Sequence, residues 1–343
     1  MLTYAFQKNM ILFPPLRISI TNVCNQSCPF CFASTEMKTN NVKFISLTDI
    51  KTICKLSKKA GFKNAQLLGG EPTIHPQFSQ LLELVLKTFY SIRIFSNGIF
   101  SEEVAQTIKS YTKRVGITFN IATPGFVFQP QVRSKVTENI KRLTQSNPVA
   151  ISIVSTFLGD DYLKIIDLID KELYDRVTVM LSLNLPEAYG INPYTIEQFP
   201  KIGQGIVKCV KYLQQQKIGR KLSFTNSGLR PCMFKKEELA YLKRFDLSLE
   251  QYTCHDDEDL FTISFNQKLS SYKCYPTSTR EQLPINKKTD LEIIKNKYLK
   301  ITRDNERKYT LPYCQSCPFY GFAKNQCSGP CMGFRINALK ITN

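Results

Sequence analysis

An α/β fold built on a parallel sheet, followed by a cysteine-rich segment of another character, is the architecture this sequence predicts. Two observations lead there. Through the first two thirds, short apolar or alternating runs take turns with stretches of helical spacing; from about residue 221 that alternation stops, and seven of the twelve cysteines follow. Strands alternating with helices imply βαβ units and a parallel sheet, either doubly wound or curled into a barrel.

The strand-like runs are LRISIT (Leu16–Thr21), AQLLG (65–69), IRIFS (92–96), VGITFNI (115–121), VAISIVS (Val149–Ser155) and VTVMLSLNL (177–185). Each is short and rich in β-branched or aromatic residues. Helical patterns lie between them at 46–60, 77–89, 101–111, 131–145 and 160–171. In the first, Ser46 and Asp49 have capping-box spacing, Leu47, Ile50 and Cys54 share a face, and Gly61 stops the helix. A long helix ending near Lys217 closes the alternating part. Beyond it one helical pattern stands out, at 289–300, with Thr289 and Glu292 at capping-box spacing. A weakly patterned segment dense in cysteine is held together by metal more readily than by an apolar core. The boundary near Leu222 divides the chain into 1–222 and 223–343.

With 343 residues, 43% of them hydrophobic, the chain can bury a sizeable core. No apolar run reaches the length of a membrane span, and no signal-peptide pattern or lipidation box is present, so a cytoplasmic protein away from membranes is expected. In that compartment twelve cysteines point to metal or catalysis rather than to a disulfide framework. The formal net charge of +18 is spread without a run long enough to form a nucleic-acid-binding arm. It suits an acidic peptide or an acidic redox partner, and equally an evenly solvated surface.

Cys24, Cys28 and Cys31 stand in a C-x3-C-x2-C pattern just after the first strand, on the rim where parallel α/β folds place their active sites. Three thiolates on a four-iron cube leave one iron open to a substrate or cofactor. A structural zinc would need a fourth ligand; His75 is the only histidine near this rim in the chain order, and it sits in a proline-bounded turn. The second strand runs into Gly69-Gly70-Glu71-Pro72 on the same rim, where glycines permit close approach to the backbone and Glu71 offers a carboxylate.

The set CNQSCPFC, LLGGEP and the SNG at 96–98, each following a successive strand, resembles the radical S-adenosylmethionine (SAM) superfamily over roughly the first 220 residues. The resemblance implies a partial (β/α)6 TIM-type barrel. It implies a [4Fe-4S] cluster on Cys24, Cys28 and Cys31 whose open iron holds SAM, with Gly69, Gly70 and Glu71 near the SAM amino group. Ser96 and Asn97 would lie near its ribose or carboxylate, and Phe30 near its adenine. The chemistry implied is reductive cleavage of SAM to a 5′-deoxyadenosyl radical that abstracts hydrogen from substrate, fed by a one-electron donor such as flavodoxin or ferredoxin. Polar residues of 118–121 and 152–155 would face substrate and adenosine.

Cys54 and Cys209 lie within helical patterns and read as small buried hydrophobes. The other seven resemble the auxiliary-cluster extension known as SPASM, or the shorter twitch domain. Cys254 precedes a hairpin-like stretch ending at Cys274, and Cys314-x2-Cys317-x9-Cys327-x3-Cys331 follows. Departures are the absence of a turn glycine at 266–268, a long gap between Cys317 and Cys327, and no cysteine after Cys331. Seven ligands cannot fully serve two four-iron clusters, so one or two auxiliary [4Fe-4S] clusters are expected. By analogy Cys232, Cys254, Cys274 and Cys331 would hold the cluster nearer the barrel, and Cys314, Cys317 and Cys327 the distal one. A zinc site in the last four cysteines is the rival.

The leading expectation is a radical SAM maturase that oxidises, crosslinks or epimerises a ribosomal peptide. Only 23 residues precede Cys24, which leaves no room for a fused leader-recognition domain, so a separate leader-peptide-binding protein or the barrel rim itself would supply recognition. The alternatives are a radical SAM dehydrogenase or rearrangement enzyme acting on a small metabolite, and a non-catalytic iron–sulfur or zinc-containing binding protein.

Overall fold

The computed structural model describes residues 15–28, 31, 34–39, 41–122, 129–185, 192–219, 221–224, 229–244, 261–266, 268–272, 282–321 and 327–340. Seven parallel strands, β1 (Leu16–Thr21), β2 (Asn64–Gly69), β3 (Ser91–Ser96), β4 (Val115–Ala122), β5 (Val149–Ser155), β6 (Thr178–Leu183) and β7 (Lys221–Phe224), follow one another in the order of the chain. All six predicted strands are present within two residues of the expected ends; β7 is an addition. The helices between them include α1 (Leu47–Lys59), α2 (Phe78–Leu86), α3 (Glu102–Lys109), α4 (Pro130–Thr144) and α5 (Phe199–Gln215). Sequential parallel strands with helical crossovers are the arrangement of the expected partial barrel.

Alternation along the strands assigns the faces. Leu16, Ile18 and Ile20 of β1 are fully buried in one apolar cluster with Ile50 and Ile53 of α1 and Leu81 and Val85 of α2. The intervening positions are polar: Arg17 donates from Nε to Gln66 of β2 at 3.3 Å, and Arg93 of β3 donates to Thr118 of β4 at 3.1 Å. Period two therefore gives an apolar face towards the helices and a hydrophilic inner face. α1 begins as its sequence predicts, with Ser46 Oγ accepting from the Asp49 N–H at 3.0 Å, and it ends before Gly61 at φ +77°.

The last third joins the same sheet. β8 (Thr262–Asn266) pairs parallel to β1, antiparallel to β9 (Lys268–Tyr272), and β10 (Leu283–Pro284) pairs with β9, giving the order β10-β9-β8-β1-β2-β3-β4-β5-β6-β7. The expected hairpin is thus present, and the boundary drawn at residue 222 falls inside β7. The pattern at 289–300 is a longer helix, α6 (Leu291–Lys308), capped by Asp290, whose carboxylate accepts from the Glu292 N–H at 2.9 Å. Thr289 Oγ1 instead accepts from the Asn286 N–H at 2.8 Å, so the expected Thr289 cap is corrected by one residue. A second C-terminal helix, α7 (Met332–Lys340), has no sequence signature because Met332, Phe334, Arg335 and Ile336 are all buried and no polar face alternates with an apolar one.

Candidate active site and a second thiol cluster

Two loops hold the first three cysteines from below. Gly69 and Gly70 leave β2 directly against the backbone that leads into Cys24. A Cβ on Gly69, which sits at φ +147°, would lie 2.3 Å from the Thr21 carbonyl oxygen, and one on Gly70 would lie 2.1 Å from that of Val23. This close approach allows the Gly70 N–H to donate to Thr21 O and the Glu71 N–H to Val23 O, both at 2.9 Å. The neighbour these glycines admit is the cysteine loop itself.

Glu71 is buried and joins the loop after β2 to the loop after β3. Its Oε1 accepts from the Thr73 N–H (3.2 Å), Thr73 Oγ1 (2.6 Å) and Ser96 Oγ (2.8 Å), and its Oε2 from the Asn97 N–H (2.7 Å). Burial pushes its pKa up, opposed by these four hydrogen bonds. Asn97 continues the link: its side-chain amide donates to Asn25 Oδ1 at 2.7 Å and to Cys24 Sγ at 3.7 Å, while Asn25 donates to Ile99 O at 2.8 Å. Asn22, unremarked in the sequence, ties the base of the loop to Val42 O at 3.0 Å and to Phe265 O of β8 at 3.1 Å. Its only sequence signal was its place directly before the loop.

Gly69, Gly70, Glu71, Ser96 and Asn97 are thus brought together with Cys24, and the turn closed by the Cys31 N–H on Cys28 O at 3.1 Å keeps the thiols adjacent. Phe30 lies outside the described residues. Burial drives the Cys24 thiol up to about 12; the charges acting on it are the Glu71 carboxylate and the thiolates of Cys31 and Cys28, all of which raise it further. His75 is engaged elsewhere, with Nε2 on Ile45 O at 3.0 Å and Nδ1 accepting from the Gln77 N–H at 3.1 Å, so both ring nitrogens are occupied and it is no fourth ligand.

A second set of thiols gathers in the C-terminal part. Cys232, Cys314, Cys317 and Cys327 line one recess together with Arg230 and Gly329. Cys232 sits on a short 3-10 turn, Pro231–Met233, pressed against α5 at Gly203, where a Cβ would meet the Met233 carbonyl oxygen at 1.9 Å. Cys314 and Cys317 share one turn, with the Cys317 N–H on Cys314 O at 3.0 Å. Cys327 is bridged back to that turn by its N–H on Phe319 O at 2.8 Å, and the Gly329 N–H donates to its sulfur at 3.4 Å. Burial raises the Cys232 thiol to about 12 and Cys314 to about 11, and the thiolates of Cys327, Cys317 and Cys314 each add to the rise at Cys232. Cys232, which the expected partition groups with Cys254, Cys274 and Cys331, lines this recess with Cys314, Cys317 and Cys327, the Pro231–Met233 turn packing on α5 beside them. Cys254 and Cys274 lie outside the described residues. Cys54 and Cys209 are buried in the apolar core, as expected.

Among the described residues no group of three or more His, Cys, Asp or Glu side chains is gathered as a ligand set for a single metal ion. A multinuclear cluster asks for a wider spacing, since each thiolate binds its own iron.

The comparisons fit this geometry. Residues 18–171 match the family model described as the radical SAM superfamily. A curated relative, a probable GTP 3′,8-cyclase of Methanocaldococcus jannaschii, is 28% identical over 152 residues, 43% of this chain and 49% of its own. The chain spans about half the length of the curated relatives it matches. Among solved structures, Streptococcus suis SuiB bound to precursor peptide SuiA superposes with a TM-score of 0.63 at 14% identity, over 98% of this chain and 75% of that one. Native anSMEcpe with bound AdoMet and a Kp18Cys peptide gives 0.59 at 15% identity, over 93% and 89%. At such identities the likeness is one of fold, and it runs through the C-terminal part as well as the barrel. The three-cysteine loop, held by the loops after β2 and β3, falls within the segment 18–171 that is similar to the radical SAM superfamily.

Proposed function

We propose that this chain is a radical SAM enzyme that modifies a peptide substrate by oxidation, crosslinking or epimerisation. The observation that carries the reading is that its fold follows two peptide-bound structures over 93–98% of its length, beyond the barrel common to the superfamily. When bound, a [4Fe-4S] cluster and SAM supply the electron and the reductive carbon–sulfur cleavage that lead to hydrogen abstraction.

The residues of the chain have definable tasks. Cys24, Cys28 and Cys31 fit a three-thiolate cluster site, since a glycine cradle fixes their loop and the N–H donors reaching Cys24 suit a thiolate. Gly69 and Gly70 hold that loop on β2. Glu71 acts as a bracket, with its four accepted hydrogen bonds directed to Thr73, Ser96 and Asn97, so its side chain fixes the rim and leaves the backbone of that turn as the surface for the SAM amino group. The polar inner face carrying Arg17, Gln66, Arg93 and Thr118 would orient substrate. Residues 223–343 would form the SPASM/twitch-like auxiliary part, with a flavodoxin or ferredoxin as electron donor and a separate protein for leader recognition.

A second reading has its own support: the sequence relatives are named GTP 3′,8-cyclase, which favours a small, anionic metabolite. One experiment separates them. The anaerobically reconstituted chain is given dithionite and SAM with either GTP or the peptides encoded beside its gene, and 5′-deoxyadenosine and substrate mass are followed. A peptide-dependent rise in 5′-deoxyadenosine with loss of hydrogen from the peptide, or with solvent deuterium incorporated into it, supports the peptide reading. A rise with GTP alone overturns it.

A further inference from the structure

The recess of the second thiol set contains more than cysteine. Arg335 of α7 is fully buried, and among the described residues its Nε and Nη2 have no hydrogen-bond partner, whereas Nη1 donates to Glu306 O at 3.1 Å. The fully buried Glu306 carboxylate stands 4.0 Å from Nη2, at the outer limit of an ion pair, and it also accepts from Ser328 Oγ at 2.5 Å. Gly329 separates the guanidinium from the thiols. It has φ +102°, and a Cβ there would lie 3.6 Å from Cys314 Sγ, 3.4 Å from Arg335 Cδ and 3.7 Å from Arg335 Nε. Arg230, also buried, donates from Nε to Gly329 O and from Nη1 to Leu229 O at 2.6 Å.

Two buried guanidinium groups are costly unless negative charge stands close by. Among the described residues a single carboxylate, 4.0 Å from Arg335, faces the pair and does not balance both. Four neighbouring thiolates would, and unpaired N–H groups are the donors that sulfur ligands of a cluster accept.

Resting on the reading of residues 223–343 as an auxiliary iron–sulfur region, we propose that Cys232, Cys314, Cys317 and Cys327 form one closed four-thiolate iron–sulfur site, with Arg335 and Arg230 as its buried counter-charges. With four protein ligands the centre has no open iron, so it passes electrons or stabilises the fold and does not bind substrate. Arg335 is a positioning residue: it sets the potential of the centre through charge and N–H donation.

The test needs neither SAM nor substrate, so its failure is distinct from failure of the peptide reading. In a chain carrying Cys24→Ala, Cys28→Ala and Cys31→Ala, iron and sulfide are measured after anaerobic reconstitution. Either Cys232→Ala or Cys314→Ala is expected to lower iron, by up to about four per chain for loss of a whole cluster, and the double variant by no more than the larger single loss. Losses that add would place the two residues in different clusters and overturn the ligand set, as would an unchanged cluster spectrum in Cys232→Ala. One zinc per chain without iron would overturn the iron–sulfur assignment. In the same background Arg335→Gln should move the midpoint potential to a more negative value, and Arg335→Lys should recover most of the shift. Equal potentials in all three chains would overturn the role of Arg335. If Arg335→Gln fails to fold, Arg335→Lys is compared with the parent chain alone: a small negative shift from the lost donors is expected, an identical potential overturns the donor role, and the cysteine arm stands independently.

Discussion

The two thiol clusters are built from the same side chain and differ in what surrounds it. On the barrel rim, Cys24 is flanked by neutral donors, Asn97 and backbone N–H groups, and the charge nearest in effect is the Glu71 carboxylate. In the C-terminal recess, buried guanidinium groups of Arg230 and Arg335 act on Cys314 and Cys327. An added electron is resisted where negative charge stands unopposed and welcomed where cations oppose it. On the proposed reading, a cluster at the rim would be the stronger reductant and one in the recess the acceptor.

The contrast breaks most completely if the rim thiols are dispensable. Cys28→Ala should abolish 5′-deoxyadenosine formation while leaving the chain folded; product formed at the wild-type rate would remove the rim centre from the chemistry. Gly70→Ala comes next. Its Cβ would collide with Val23 O, so it should cost about 1–3 kcal/mol or more of stability in denaturant unfolding and displace the loop. Wild-type stability in that variant would mean that the cradle yields freely.

Glu71→Gln turns an acceptor-only bracket into one that must place an amide donor against another donor. A loss of about 1–3 kcal/mol is expected, with the rim potential moving upward as the carboxylate charge disappears. Unchanged stability and potential would argue against the bracket. The smallest effect is at His75, whose burial holds its pKa below the ordinary 6.5. The unfolded chain therefore binds more protons as pH falls, so the contribution of His75 to stability is complete above that value and declines as pH drops below it. Unfolding free energies should fall more steeply from about pH 7 to 5 in the wild type than in His75→Ala; parallel slopes would show that His75 is not held neutral.

Much of this was legible in the sequence, and the reasons are local. The six strands, the capped start of α1 at Ser46 and the meeting of the cysteine, Gly-Gly-Glu and Ser-Asn-Gly loops follow from periodicity and from successive βα units sharing one rim. β7 escaped because four residues are too short for a pattern, and α7 because it is buried on more than one face. The placement of Cys232 beside Cys314, Cys317 and Cys327 was not legible because it depends on a tertiary fact, the packing of Met233 on Gly203. Arg335 carried no signal at all: an arginine in a sequence reads as surface, and only its fully buried position beside Cys314 gives it a role.

The central claim is the difference in potential between the two centres, and it is measured most directly by redox titration followed by electron paramagnetic resonance, without SAM. One chain would keep only the C-terminal ligands, carrying Cys24→Ala, Cys28→Ala and Cys31→Ala; the other would keep the rim and carry Cys314→Ala with Cys232→Ala. A clearly more negative midpoint for the rim centre is the predicted result, and equal or inverted midpoints would contradict it.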